Sequence, residues 1–89
     1  MKLNNKIILI TGVAGFLGSQ IVKILLEENA YCILLDKDKK KLKSLNQKLK
    51  KLNYKNYFSI NADVTSEKDI KKSCNLVFRK FKRLDGILN

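Results

Sequence analysis

Residues Lys6–Gly18 read K-I-I-L-I-T-G-V-A-G-F-L-G, and this stretch decides the fold. Its first half contains the apolar run Ile7–Ile10, which is typical of a strand buried on both faces of a parallel sheet. Three of the chain's four glycines follow at once, at Gly12, Gly15 and Gly18. Glycines placed directly after a strand and at the start of a helix are the context that a phosphate-binding loop requires.

Each glycine of this loop has its own predicted role. Gly12 allows a sharp turn off the strand, Gly15 lets the backbone approach a pyrophosphate, and Gly18 lets the helix pack close to the sheet. The backbone N–H groups near Phe16 and Leu17 would then face the phosphate, assisted by the helix dipole. Taken alone, the stretch also fits an ordinary glycine-rich turn.

Helices and strands alternate through the rest of the chain. Tyr31–Leu35 and Tyr57–Ala62 are predicted strands, and Ile87 and Leu88 begin a fourth. From Leu17 onwards apolar residues are spaced as in a helix, and two later stripes of apolar residues predict two further helices. The first of these stripes is formed by Leu42, Leu45, Leu49 and Leu52, and the second by Ile70, Cys74, Val77, Phe78 and Phe81.

The order β-α-β-α-β-α-β predicts an α/β fold in a single partial domain, residues 1–89. Strands alternating with helices favour a parallel sheet with right-handed crossovers. We expect a Rossmann-type doubly wound sheet of strand order 3-2-1-4, truncated after the fourth strand. Since two helices cover one face and the third covers the other alone, part of one apolar face should lack cover.

Acidic residues follow the second and third predicted strands. Asp36 comes 18 residues after the last glycine of the loop, where a dinucleotide fold places an acid for the adenosine ribose. Its charge repels a 2′-phosphate and favours NAD over NADP, although Lys37 and Lys39 weaken that preference. Asp63 and Val64 could offer a carboxylate and a backbone amide to the adenine edge. For Asp36, and for Asp63 with Val64, the alternative to cofactor binding is an ordinary turn exposed to solvent.

The net charge of +11 is the most prominent feature of the composition. Only Arg79 and Arg83 of the 19 basic residues are arginine, whereas base reading and bidentate phosphate binding favour arginine. We therefore expect solvated lysine faces, and the alternative is a non-catalytic basic module that binds nucleotides or RNA. The chain contains no His, which excludes a His–Asp relay and His-bearing metal sites.

Cysteine usage and hydropathy give two further expectations. Cys32 and Cys74 lie in apolar segments without a C-x-x-C pair, so we expect two buried thiols and no metal site. The longest early apolar run is too short for a signal peptide or a membrane span. This favours a cytoplasmic protein without a membrane partner.

Four segments together resemble the short-chain dehydrogenase/reductase family. They are Thr11–Gly18, the acid Asp36, A-D-V-T at Ala62–Thr65, and F-K-R-L-D-G-I-L-N at Phe81–Asn89. They occur in the family's order and cover essentially the whole chain. The resemblance implies an oxidoreductase that binds NAD, with NADP not excluded, and moves a hydride between nicotinamide and a carbonyl or alcohol substrate. It also implies a homo-oligomeric parent enzyme.

The resemblance assigns a role to each matching residue. Asp36 would bind the ribose, and Asp63 with Val64 the adenine. Asn89 matches the first Asn of the family's N-N-A-G element, which lies beside the cofactor and supports the central sheet. The pyrophosphate would be lined by Gly12, Gly15, Phe16, Leu17 and Gly18.

Two departures from the family pattern matter. The glycine spacing T-G-x-x-G-x-x-G is that of the extended subgroup, which includes nucleotide-sugar epimerases and dehydratases. The final segment favours the main dehydrogenase subgroup instead, and a fragment of an extended enzyme remains the alternative. Lys82 stands where many members have Gly, which we expect to matter little.

The residues that would perform the reaction are missing from the sequence. The family uses a Tyr whose pKa is lowered by a Lys four residues later. Positions four residues after Tyr31, Tyr54 and Tyr57 hold no Lys. We therefore assign no catalytic residue and expect an amino-terminal fragment that at most binds a dinucleotide, whereas the small-molecule substrate would be bound only by the full-length parent.

Overall fold

The computed structural model describes residues 3–89, in which four strands and three helices alternate. The predicted elements are present, and the predicted strand ends differ from the observed ones by one residue. The second and third helices each begin three residues before the first residue of their predicted stripes. Within this part of the chain, none of the helices combines the length and the apolar character that a membrane span requires. The elements are β1 (Ile7–Thr11), α1 (Phe16–Glu27), β2 (Tyr31–Asp36), α2 (Lys39–Lys51), β3 (Tyr57–Asn61), α3 (Glu67–Phe81) and β4 (Gly86–Leu88).

The strands form one parallel sheet in the order β3-β2-β1-β4, which confirms the predicted topology. In the register of the sheet, Ile10 of the central strand lies opposite Leu34 on one side and Leu88 on the other. Because all four strands run in the same direction, their carboxyl ends meet at one edge. The glycine loop, Asp36, Asp63 and Asn89 all follow strands at that edge.

One face of the sheet is covered by α1 and α2. Ile8 and Ile10 of β1 are buried there, as are Val22 and Leu26 of α1. The stripe of α2 is confirmed in part, because three of its leucines are buried whereas Leu52 is 50% exposed. Leu52 follows the last turn of the helix as its C-cap residue, beyond the packed surface. The buried leucines are Leu42, Leu45 and Leu49.

The other face is covered by α3 alone and stays partly open. Val77 is buried against β2 and β3, and the ring of Phe81 lies 5.0 Å from that of Tyr31. Ile7 and Leu9, on the same face of β1, are only half-buried. The predicted stripe of α3 is therefore only partly buried, since Ile70, Cys74 and Phe78 are exposed. No second helix flanks α3 in the described chain to cover them.

An open apolar groove of about 260 Å³ runs between α3 and β4. Phe78 is 54% exposed and Ile87 is 58% exposed along it. The groove is the uncovered part of the sheet that we expected, because two helices cover one face and a single helix covers the other. Its lining includes Leu9, Val64, Ile70, Cys74, Phe78 and Ile87.

The turn between α3 and β4 requires an unusual backbone conformation. Lys82 is the C-cap residue of α3 and has a φ of +68°, in the left-handed region that favours glycine. A side chain in this region costs about 1–2 kcal/mol. The expectation that this family glycine could be replaced at little cost was therefore wrong.

After the turn, the Asp85 carboxylate accepts a hydrogen bond from Ile7 N at 2.8 Å and joins β4 to β1.

We expect the open groove to drive self-association, because exposed contiguous apolar surface favours contacts between molecules. Phe78→Glu should weaken the association constant by about 10-fold to 100-fold, since burying one Phe contributes roughly 1.5–3 kcal/mol. Light scattering across a concentration series would measure this. Gln47→Glu, an equal charge change on α2, is the control and should leave association unchanged. Equal effects of both variants would show that net charge, and not the groove, governs association.

Candidate functional site

The glycine loop turns the chain sharply from β1 into α1. Gly12 has a φ of +65°, and its N–H donates to Leu35 O at 3.0 Å. Gly15 is the N-cap residue of α1 and provides no side-chain acceptor for the first turn. That turn also contains no acidic residue. The first N–H groups of α1 are thus available to an anion, which the positive end of the helix dipole favours.

Gly18 lies where α1 comes closest to the turn. A Cβ atom at this position would be 2.5 Å from Gly12 O and 3.0 Å from Val13 Cα. Both are backbone atoms that cannot rotate away, so the close packing of helix against turn needs glycine here. By contrast, a Cβ atom at Gly15 would have nothing within 4 Å. Space is therefore open in the direction that a side chain at Gly15 would take.

The Asp36 carboxylate lies beside this loop and binds two backbone N–H groups. Oδ2 accepts from Ala14 N at 2.9 Å, and Oδ1 accepts from Asp38 N at 2.8 Å. Asn61 holds the backbone of the same turn, because its Nδ2 donates to Asp36 O at 3.0 Å and to Lys37 O at 3.1 Å. The acid predicted for the ribose thus also connects the ends of β1 and β2. No pattern in the sequence indicated this role of Asn61.

Asp63 is held in the loop that leaves β3. Its Oδ1 accepts from Thr65 Oγ1 at 2.7 Å and from Thr65 N at 2.9 Å. These two hydrogen bonds, assisted by the charge of Lys37, keep the pKa of Asp63 below its ordinary value, and partial desolvation opposes them only in part. The carboxylate is therefore ionised at neutral pH.

Ser66 and Asp69 have the spacing of a capping box, with Asp in place of the usual Glu or Gln, which predicts reciprocal side-chain bonds at a helix start. At the start of α3 this box forms only in part. Ser66 Oγ accepts from Asp69 N at 3.2 Å, as the spacing predicts. The Asp69 carboxylate, however, accepts from Asp63 N at 2.9 Å instead of closing back on Ser66 N. Ser66 N is satisfied by Asp63 O at 3.0 Å. Asp69 thus connects α3 to the end of β3, and sequence analysis missed this connection.

A cavity of about 350 Å³ brings the predicted adenosine residues together. Gly12, Asp36 and Asp63 line it, and Val64, 49% exposed, lies at its wall. Phe16 and Leu17 are 82% and 71% exposed at the start of α1, outside this cavity. The remaining cavity-lining residues include Thr11, Leu35, Lys37, Ala62 and Thr65.

Asn89 lies apart from the adenosine cavity, on the far side of β1. Its Oδ1 accepts a hydrogen bond from Thr11 Oγ1 at 3.3 Å, which joins the ends of β4 and β1. Asn89 also lines the apolar groove. Across residues 3–89, no group of three or more Cys, Asp or Glu side chains converges as a metal site would need.

A parallel sheet of this order, with a glycine turn after the central strand and an acid after its neighbour, defines the Rossmann class of α/β proteins. The sequence profile of the short chain dehydrogenases matches residues 6–89. The chain therefore belongs to the short-chain dehydrogenase/reductase family, as the sequence resemblance indicated.

Individual relatives agree with this assignment. The chain is 30% identical over 87 residues to the post-translational flagellin modification protein A of Campylobacter coli, and this match covers 98% of the chain and 34% of the relative. It is 29% identical to an 11-beta-hydroxysteroid dehydrogenase of Pinus massoniana, covering 98% of the chain and 24% of that protein. Among solved structures, an NAD+-bound xylitol dehydrogenase matches with a TM-score of 0.86 at 29% identity, covering 98% of the chain and 33% of that structure. The chain thus spans about a third or less of the length of these relatives.

Gly18→Ala should destabilise the fold by about 2 kcal/mol or more, because the added methyl group overlaps backbone that cannot move away. Thermal unfolding followed by circular dichroism would measure the loss. Gly15→Ala is the matched control: its methyl group has free space, and only the weaker N-cap preference of Ala, about 1 kcal/mol or less, should be lost. Equal losses from both variants would contradict the close packing inferred at Gly18.

Thr65→Val should raise the pKa of Asp63 towards its ordinary value of 3.8, because the hydroxyl donor is removed and the backbone donor remains. A lowered folded-state pKa stabilises the fold above the unfolded-state pKa, and this contribution disappears as pH falls through the folded-state value. The variant should therefore lose stability relative to the wild type above about pH 4, and not below the folded-state pKa. Carboxyl ¹³C NMR titration would measure the pKa. Thr65→Ser, which keeps a hydroxyl, should retain the low pKa, and a high pKa in this variant would refute the assigned cause.

Proposed function

We propose that this chain is the amino-terminal, cofactor-binding part of an NAD-dependent oxidoreductase that moves a hydride between nicotinamide and a carbonyl or alcohol substrate. The observation that carries the proposal is the position of the Asp36 carboxylate, 2.9 Å from Ala14 N in the glycine loop and on the wall of the adenosine cavity. The proximity of this carboxylate to the loop supports its role as the acceptor for a ribose, beside backbone N–H groups that would bind a pyrophosphate.

The start of α1 supports pyrophosphate binding. Its N-cap residue, Gly15, leaves the first N–H groups without a side-chain acceptor, and a Cβ atom at Gly15 would have nothing within 4 Å. Helix N-termini of this kind bind phosphate through N–H groups and the helix dipole together. Gly12, Phe16 and Leu17 would complete the contact, with Gly18 holding the helix close to the turn.

The charge at the end of β2 favours NAD over NADP. A carboxylate oxygen can accept two hydrogen bonds, so Asp36 retains capacity for ribose hydroxyls after binding Ala14 N and Asp38 N. The same negative charge would repel a 2′-phosphate. Lys37 lines the cavity and reduces that repulsion, so we propose a preference for NAD and not an absolute exclusion of NADP.

At the adenine end, Asp63 would accept from the amino group and Val64 N–H would donate to the ring. Ionised Asp63 and exposed Val64 lie on the same cavity wall. The NAD+-bound xylitol dehydrogenase, which is 29% identical to this chain, supports this cofactor class.

The chain's own residues would hold and orient the cofactor but would not catalyse the reaction. NAD, when bound, supplies the hydride acceptor. No Tyr is followed four residues later by Lys in this sequence. Because the chain covers 34% and 24% of two of its relatives, we assign proton transfer and substrate binding to the remainder of a longer protein. Asn89 would stand beside the nicotinamide end and link β4 to β1 through Thr11.

A second candidate is a fragment of an extended family member that acts on nucleotide sugars and cycles NAD on the protein. The glycine spacing T-G-x-x-G-x-x-G favours it. The codons that follow Asn89 in the genome distinguish the two. Asn-Ala-Gly or Asn-Ala-Ala supports the dehydrogenase, and a different strand end supports the nucleotide-sugar enzyme.

Asp36→Ala should weaken NADH binding by about 10-fold to 100-fold, because charged hydrogen bonds contribute roughly 1.5–3 kcal/mol each. Because the negative charge that repels the 2′-phosphate is also lost, NADPH binding should weaken less than NADH binding. Fluorescence titration with both nucleotides would measure the two affinities. Asp38→Ala removes a neighbouring carboxylate that caps α2 through Lys41 N and should change NADH binding little. Unchanged NADH affinity in Asp36→Ala would refute the proposed function.

A further inference from the structure

We propose that Asp69 is a positioning residue for adenine recognition: its carboxylate holds the backbone from which Asp63 and Val64 face the cofactor cavity. This inference rests on the proposed function and extends it to a residue that does not touch the ligand. Asp69 belongs to the first turn of α3, six residues after Asp63. It lines a different groove from the one that contains the adenosine residues.

The contact between Asp69 and Asp63 is short and half-buried. Asp69 Oδ2 accepts from Asp63 N at 2.9 Å, while the Asp69 N–H donates to Ser66 Oγ at 3.2 Å. Hydrogen bonds to an ionised acceptor are about twice as strong as those between neutral groups. The carboxylate therefore fixes the direction in which the chain leaves β3.

The side chain of Asp63 is fixed to the same backbone. Its Oδ1 is occupied by both donors of Thr65, and its carbonyl oxygen accepts from Ser66 N at 3.0 Å. The carboxylate therefore cannot turn independently of the loop, and the loop is held at its start by Asp69. Among residues 3–89, no donor is hydrogen-bonded to the other oxygen, Oδ2. That oxygen remains available to an amino group in the cavity.

The start of the loop is also connected to the ribose acid. Ala62 N donates to Asp36 O at 3.1 Å, immediately before Asp63. The Asp69 carboxylate then fixes the next N–H group along the chain. The two bonds together set the separation between the proposed ribose acceptor and the proposed adenine acceptor. We expect loss of the Asp69 bond to let Asp63 and Val64 move relative to Asp36.

Adenine and hypoxanthine distinguish this role from a merely structural one. Adenine presents an amino donor beside a ring acceptor, which matches an acceptor at Asp63 and a donor at Val64 N. Hypoxanthine presents a carbonyl acceptor beside an N–H donor, the reverse arrangement. A fixed loop should therefore prefer NAD to nicotinamide hypoxanthine dinucleotide, and a displaced loop should lose that preference, whatever its effect on stability.

The experiment measures the affinities of both dinucleotides for the 89-residue chain by isothermal titration calorimetry. For the wild type we expect NAD to bind about tenfold more tightly, the effect of one hydrogen-bond pair. Asp69→Ala should reduce this preference to less than about twofold, and Asp69→Asn, which keeps an acceptor oxygen, should restore part of it. Asp69→Asn also tests the inference if Asp69→Ala fails to fold.

Ser66→Ala is the matched control, because it removes the N-cap of α3 and leaves the bond from Asp63 N to Asp69 in place. Both Ser66→Ala and Asp69→Ala should lower the unfolding temperature, but only Ser66→Ala should retain the preference for NAD. Equal loss of preference in both variants would overturn the inference and indicate a helix-stability effect. Retained preference in Asp69→Ala would overturn it while the proposed function stands. A wild type that binds neither dinucleotide would refute the proposed function itself.

Discussion

The close approach of α1 to the turn after β1 sets the geometry of the carboxyl edge of the sheet. A Cβ atom at Gly18 would overlap Gly12 O, so the helix can lie this close only without a side chain there. That approach fixes where the first N–H groups of α1 emerge and leaves them beside the end of β2. Asp36 then joins the two strand ends through Ala14 N. The cavity at the ends of β1 and β2 therefore depends on the close contact between Gly18 and Gly12.

Strand order and the positions of the acids were predictable because they follow from patterns along the chain. The apolar run Ile7–Ile10, the glycines after it and the alternation of strands and helices leave few topologies once right-handed crossovers are required. Parallel strands bring their carboxyl ends together, which places Asp36 and Asp63 on one cavity. The types and order of the residues were therefore sufficient to predict the strand order and the proximity of the two acids.

The contacts that hold the site together were not predictable in the same way. Ala14, Asp38 and Asp63 bind the carboxylates of Asp36 and Asp69 through backbone N–H groups. Every residue except proline has such a group, so no residue pattern marks these three as partners of a carboxylate. The spacing of Ser66 and Asp69 predicted a capping box, but Asp69 found a donor on the preceding loop instead. Periodicity likewise predicted the apolar stripe of α3, although it cannot say whether a neighbouring helix is present to cover it.

The two faces of the sheet also place the two thiols in opposite surroundings. Cys32 is buried in β2, and burial raises its pKa to about 12, whereas Cys74 is exposed in the groove along α3, contrary to the expectation of two buried thiols. Since the thiolate is the reactive form, a maleimide dye would attach at Cys74 and leave Cys32 unmodified in the native protein. The chain thus has a natural attachment point for a fluorophore, whose emission would respond to any polypeptide that comes to lie over this surface.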